Sequence, residues 1–513
     1  MDDIERLRRR RTIKVLITDL FMATSVVAIV IILVAAVAGW RINSDFTVEQ
    51  NGLVSIKTKP TGANVIIDDE PLYQTTNMSK MLSGGKHKVV LEKDGYERWE
   101  KEVEITPGWL LRLEYPRLFK QNRTKNTVKE FDGLSFFYVS PDRTTVLFSE
   151  DNTTTWSIIT DLGSKPKIRQ IDVKGIFDGT DEGYFNLKID TIEWSKNNER
   201  ILINVVGNET VGNAKINIDE WGIINIKDVK ESINLSNNYS RYEANSKNIL
   251  ATAKKETQKK IIQAKFENEA GDKILANVSG SLIHIDTNSK TINSVVAKSI
   301  ESFTLLDQTI LYKTAFENEK SYLELLRIGE KNPTIVATNS NKKAKISFEI
   351  TRFNSTSYLL YTIDNHLFVY RANDFPTGGS KFNMKPIIDT TIGIISSEAN
   401  TSHNKEFIIL REGSRSITFD TELEKYYEYD YGDEEIRFLD DYLLFRVDKA
   451  SGTLLTWDFD STNVRTLVVD KAVHGYDALI SSNNKYLYYI AKNIFTDEEG
   501  NSKTILSLVQ EDL

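Results

Sequence analysis

The chain has 513 residues, 40% hydrophobic and 10% aromatic, which is enough for several buried cores and too much for one ordinary domain. It has no cysteine, so disulfides, thiolate metal sites, iron–sulfur clusters and cysteine nucleophiles are excluded, and a prokaryotic source is indicated if the bulk lies outside the cytosol. The net charge is −8; six basic and three acidic side chains give residues 1–14 a net of +3, so residues 15–513 carry −11 and disfavour nucleic acid as a partner.

Residues 1–14 read as a basic cytoplasmic tail and 15–41 as a transmembrane signal anchor. The run LFMATSVVAIVIILVAAVAGW (20–40) is uncharged, and as a helix it would span about 31 Å, close to the hydrocarbon thickness of a bilayer. Arg8–Arg11 precede it, so the positive-inside rule leaves the N-terminus in the cytoplasm and the rest outside. Trp40 and Arg41 sit where an interfacial aromatic and a snorkelling cation belong. The competing reading is a signal peptide cleaved at Ala36-Val37-Ala38, although the apolar run is long for one.

Residues 50–108 read as a small antiparallel β domain. LVSIKT (53–58) and NVIID (64–68) flank a turn through Pro60 and Gly62, and Asp94-Gly95 marks a hairpin. RWEKEVEI (98–105) alternates, with Trp99, Lys101, Val103 and Ile105 on one face and Arg98, Glu100, Glu102 and Glu104 on the other, as in a half-buried strand. Pro60-Thr61-Gly62-Ala63, the run Val65, Ile67, Asp68, and the later Gly85-Lys86-His87-Lys88-Val89 and Lys93-Asp94-Gly95-Tyr96 resemble the PEGA domain. Tyr73-Gln74-Thr75-Thr76 departs from that family's central G-x-T-P turn. The resemblance implies a small β-sandwich that binds or spaces, with no catalytic residue. Asp68, Asp69 and Glu70 are candidate metal ligands, but adjacent residues of a strand diverge, and a solvated turn is the expectation.

Residues 109–130 look like a linker after Pro107-Gly108. From 131 to 513 short strands recur between polar loops. Eight echoes begin with FFYVSPDRTTVLFSE (136–150) and IEWSKNNERILINVV (192–206). They continue at 242–253, 303–314, 348–362, 394–410, 436–447 and 479–490, giving a period near 48 residues. Ser140-Pro141-Asp142-Arg143 resembles the S-P-D-G turn of WD40-like, TolB-type β-propeller repeats, with Arg143 in place of glycine. The fold expected is therefore an all-β ectodomain: a PEGA-type sandwich, then a seven- or eight-bladed β-propeller, behind one N-terminal transmembrane helix. The first and last strands are candidates to close the ring together. Two stacked β-sandwiches are the alternative.

Chemistry is sparse. His87, His284, His366, His403 and His474 form no H-x-x-x-H or H-E-x-x-H pair, and neither G-x-S-x-G nor a phosphate-binding loop occurs. The histidines in strands, His284 and His366, are expected to be hydrogen-bonded structural groups. KYYEYDYGDEE (425–435) is a candidate glycan or basic-partner patch, weighed against a strand whose tyrosines alternate between core and surface. TDEEGNSK (496–503) lacks calcium-loop spacing and reads as an exposed hairpin loop. No catalytic, cofactor-binding or metal residue is assigned, and no cofactor is called for. The function expected is a membrane-anchored surface protein whose propeller binds a protein, peptide or glycan, and which is not an enzyme. The alternatives are a carbohydrate-active hydrolase on the same ring, using paired carboxylates, and a docking subunit of a membrane assembly.

Overall fold

The computed structural model describes residues 2–37, 39–42, 48–151, 154–177, 188–211, 214–246, 260–296, 299–413, 415–429, 435–496 and 502–513. The chain divides into two compact units, with the boundary between Arg123 and Thr124.

The first unit opens with a 36-residue helix, Asp2–Val37 (α1). Within it Lys14–Ala35 has a mean hydropathy of 2.5 and none of it is buried against protein. Its 22 residues measure about 33 Å, long enough to cross a bilayer. The helix thus ends short of the far bound, 41, of the anchor expected over 15–41. Trp40–Ile42 (β1) is already a strand, paired with Val48–Gln50 (β2), because Gly39 at φ +86 turns the chain out of the helix.

The small domain is a two-sheet sandwich. Gly52–Ile56 (β3) lies between Met78–Leu82 and Leu110–Leu113; the other sheet orders Glu70–Thr75, Asn64–Ile67, Gly85–Glu92 and Trp99–Ile105. The alternation expected in the last strand is present: Trp99, Val103 and Ile105 are buried and Glu100, Glu102 and Glu104 exposed. Two expectations are corrected. The domain does not end at 108: its strand pairs within 50–108 are antiparallel as expected, but Leu110–Leu113 adds a parallel partner to β3. Nor is 109–130 a linker: Leu113, Tyr115, Leu118 and Phe119 are buried, and Lys125–Phe131 is a strand of the second unit. Those apolar side chains close the sandwich core, a role that the intervening basic residues hide in the sequence.

The second unit, 124–512, is a propeller of eight four-stranded sheets among the described residues. Blades 1 to 7 fall within 136–172, 188–234, 261–296, 300–339, 346–391, 398–429 and 437–468. Blade 8 combines Leu479–Ile480, Tyr486–Thr496 and Ser502–Asp512 with Lys125–Phe131, whose pairing along the last strand closes the ring. First strands of successive blades pack on one another from blade 3 to blade 6, which marks them as the inner edge. Buried apolar clusters join blades 1 and 2, 2 and 3, 3 and 4, 4 and 5, 5 and 6, 6 and 7, and 8 and 1. Radial sheets with two apolar faces have nowhere else to bury them.

Seven of the eight echoes fall on first and second strands of blades. The exception, 242–253, is corrected: 242–246 belongs to a helix, Leu235–Ser246, and 247–253 lies outside the described residues. Leu235, Tyr239 and Tyr242 recur at i, i+4 and i+7 and are buried against blades 2 and 3. Blade 3 itself starts at Ile261.

Candidate functional site at the propeller axis

Four blades share one turn between first and second strands. In each, a serine hydroxyl donates to a carboxyl or amide oxygen two residues on: Ser140 to Asp142 (2.7 Å), Ser195 to Asn197 (2.8 Å), Ser402 to Asn404 (2.7 Å) and Ser481 to Asn483 (2.9 Å). The same serine oxygen accepts from the backbone N–H five residues on. Arg143, Asn198, Lys405 and Asn484 then take positive φ. The repeat is thus a local hydrogen-bond solution to reversing the chain, and proline is incidental to it.

Arg143 adds a long-range contact. Its guanidinium forks onto both oxygens of Asp441 in blade 7 (2.8 and 3.0 Å) and donates from Nε to Ile480 O in blade 8 (3.0 Å). One side chain of blade 1 therefore clamps two other blades.

Seven of the eight first strands carry a polar or charged residue opposite an apolar or aromatic one in the second strand: Tyr138, Glu193, Lys265, Thr304, Glu349, Asn400 and Arg437. With their neighbours they stitch every pair of adjacent blades. Tyr138 Oη donates to Ile189 O (3.5 Å), and Glu193 accepts from Phe266 N (3.1 Å). The Gln263 amide bonds both backbone groups of Phe303 (2.9 Å each), and Thr304 donates to Glu349 (2.6 Å). Thr351 donates to Lys405 O (3.3 Å), Arg411 to Ile436 O (3.0 Å) and Arg437 to Asp477 (2.7 Å), which in turn accepts from Val139 N (3.4 Å). A closed polar belt thus joins the blades, along the inner edge of the ring except between blades 6 and 7, where Arg411 belongs to a second strand.

Its electrostatics follow from burial. Burial pushes the Glu193 carboxyl up to about 7 against the pull of Lys265 and the Phe266 N–H. Burial also raises Glu349, again opposed by Lys265. One lysine therefore serves two carboxyls on different blades. Asp477 is likewise raised by burial despite Arg437.

The face opposite the serine turns carries the second-to-third strand hairpins. In blades 2 and 8 these are long: Arg200–Val211 with Ala214–Asn225, and Tyr486–Thr496 with Ser502–Asp512. Second strands elsewhere have four to eight residues. At about 3.3 Å per residue the two ribbons extend on the order of 10 Å further, on either side of blade 1.

The residues singled out from sequence disperse. Asp68 and Asp69, both at positive φ, form the turn between two sandwich strands, and Asp68 accepts from Lys88 N (2.9 Å) and faces His87 Nδ1 (2.6 Å). His87 Nε2 meets Ser83 O (2.9 Å), so both ring nitrogens face acceptors. Burial alone would lower the imidazole, but Asp68 and Ser83 outweigh it and raise it. His284 pairs with Glu267 and His366 with Asp389, each at 2.6 Å, as hydrogen-bonded structural groups. His403 stands by Arg143 and Asp441, held low chiefly by burial; His474 stands by Glu435. Among the described residues no three His, Asp or Glu side chains converge as a metal set. In the tyrosine-rich patch, Tyr429 is buried and Tyr426 and Tyr427 half-buried on the outer strand of blade 6; 430–434 lies outside the described residues, as does 497–501 of the acidic hairpin.

Sequence reasoning missed the belt. Its trace is a lone charge in an apolar first strand, as in Ile192-Glu193-Trp194, Ala264-Lys265-Phe266 and Phe348-Glu349-Ile350.

Residues 51–116 match the PEGA domain. The chain is similar in fold to several solved β-propellers. Hsv2p of Kluyveromyces lactis is 9% identical, covering 66% of this chain and 98% of that one, with a TM-score of 0.37. The Dos1 propeller is 10% identical, covering 76% and 93%, at 0.41. The Cps50 (Swd1) propeller domain of Myceliophteria thermophila is 9% identical, covering 63% and 98%, at 0.33. No curated protein matches the chain as a relative. Blade count and closure rest on the strand pairing itself.

Proposed function

We propose that this is a single-pass, membrane-anchored protein of the prokaryotic cell envelope that works by binding rather than catalysis. In this reading α1 stays in the bilayer with its basic end in the cytoplasm, and the two β units lie outside. The PEGA domain separates anchor and propeller along the chain as a spacer or envelope contact. The ring offers a protein, peptide or glycan partner its long ribbons, and the net negative charge favours a neutral or basic one. The observation that carries the reading is the pair of extended ribbons on one face of a ring whose inner edge is cross-bonded. A rigid frame presenting fixed edges loses little entropy on contact.

The test is cross-linking capture with the full-length chain in nanodiscs, beside a glycan array. A variant with both ribbons shortened to the length of the other hairpins is run in parallel. Binding that is present in the parent and lost in the trimmed chain, with an unchanged melting temperature, is the expected outcome; binding that survives trimming moves the site elsewhere.

A hydrolytic second reading draws on Glu193, pushed up to about 7 as a general acid would be, with Glu349 sharing its lysine. Both carboxyls, however, are engaged by neighbouring blades. Turnover of any glycoside that is lost in Glu193→Gln would favour it.

A further inference from the structure

The sandwich has one end tied to the exit of the apolar helix. Asn51 N donates to Gly39 O (2.8 Å), and Gly108 N donates to Asn51 O (3.0 Å). Leu53 N then donates to Trp109 O (2.9 Å). Gly39 makes this approach possible, since a Cβ there would stand 2.5 Å from the backbone oxygen of Asn51, and Gly108 takes φ +76, in the left-handed region that favours glycine. Trp109 thus lies two hydrogen bonds from the residue before Trp40, four residues beyond the end of the span at Ala35.

This end exposes several large apolar side chains, with Glu49 beside Val48 and the Lys86 and Glu104 pair at its border. Trp109 is 72% exposed, Val48 58% and Trp40 45%, with Leu53 and Leu110 beside them in register. Residues 105–111, Ile-Thr-Pro-Gly-Trp-Leu-Leu, contain no charge, and Arg112 follows. The other end of the same sandwich, Glu92-Lys93-Asp94-Gly95-Tyr96-Glu97-Arg98, is crowded with charge. The seven residues of Trp99–Ile105 separate the two ends by about 20 Å.

A large aromatic left in water costs free energy, whereas at a lipid headgroup its apolar body and N–H are both satisfied. We infer that the Trp109 turn is a second membrane contact: with Trp40, Val48 and Leu110 it seats the end of the sandwich in the headgroup layer of the bilayer that α1 spans. This rests on the anchoring reading above. The occupant is lipid because the patch is continuous with the exit of the span and the turn at its centre, 105–111, carries no charge. The contact fixes how the sandwich stands on the membrane, which a single flexible anchor would leave free.

The cysteine-free chain makes the test direct. Single cysteines at 27, 94 and 109, and at 110 as a second reporter should Trp109→Cys fold poorly, are labelled with an environment-sensitive fluorophore. Each full-length protein is placed in phosphatidylcholine vesicles carrying a quencher at either the headgroup or mid-chain. Expected is mid-chain quenching at 27, headgroup quenching at 109 and 110 roughly threefold or more above that at 94, and little at 94. Quenching at 27 with none above the level of 94 at 109 or 110 overturns the contact and leaves the anchor standing, as it would if a protein covered this face in the cell. No quenching at 27 overturns the anchor and the contact together.

Discussion

Arg143 occupies a position where a glycine would relieve the backbone, at φ +59, and its side chain repays that strain across two blades. Arg143→Ala keeps the unfavourable backbone and loses the clamp. A double-mutant cycle with Asp441→Ala, read by chemical denaturation, is expected to give a coupling of about 1–2 kcal/mol; additive effects would show that the fork contributes nothing. A second expectation concerns charge. Glu406 is pushed up to about 8 and Asp420 to about 7, both mainly by burial. Each holds its proton more tightly folded than unfolded, so over the window from about pH 4 to 8 the native state carries more protons and stability falls as pH rises. Carboxyls lowered by their partners, such as Asp142 and Asp219, titrate below that window. The melting temperature is expected to drop by a few degrees from pH 5 to 8, and Glu406→Gln to flatten the decline. An unchanged slope in the variant would contradict the assignment. None of these partners was legible in the sequence, because Arg143 and Asp441 lie 298 positions apart and a carboxyl's burial depends on blades that the chain builds later.

Elements were more legible than contacts. The serine turns signalled their blades because a local hydrogen-bond pattern dictates local residues, whereas blade 3 turns through Asn268 and Asp272 instead and left no such mark. The same logic explains the sandwich. Its quoted motifs meet in space: Lys93 Nζ donates to Thr61 O (3.0 Å) of the Pro60–Ala63 turn, and Gly62 N donates to Thr76 O (2.9 Å). Thr76 thus stabilises the turn from within the stretch that departs from the family pattern. The helix at Leu235–Ser246 escaped notice because only three apolar or aromatic faces, one turn apart, mark it. Ring closure depends on a strand placed before all the blades. Phe131 is buried there, edge-on to Phe148 at 5.4 Å. Phe131→Ala is expected to cost about 3–5 kcal/mol and to lower the unfolding temperature of the propeller alone. A calorimetric trace with only the smaller unit shifted would contradict closure by this strand. Gly39→Ala forces a Cβ against Asn51 O and is expected to release the sandwich from the helix exit, seen as faster amide exchange at Asn51 and Gly108.

At the scale of the whole molecule the order of segments was readable from hydropathy and repetition, because a long apolar helix and a repeat both impose long, coarse patterns. The proposed binding surface was not, since the ribbons of blades 2 and 8 differ from other hairpins only in length. In the proposed reading the helix remains in the bilayer and holds both β units outside the cytosol. The most direct measurement uses intact cells producing the full-length, cysteine-free chain with one added cysteine, at position 12 or at position 94, and a maleimide that cannot cross membranes. Labelling at 94 without labelling at 12, on a polypeptide of undiminished mass, is the expected result. Labelling at 12 alone, or a product shortened to begin after Ala38, would contradict it.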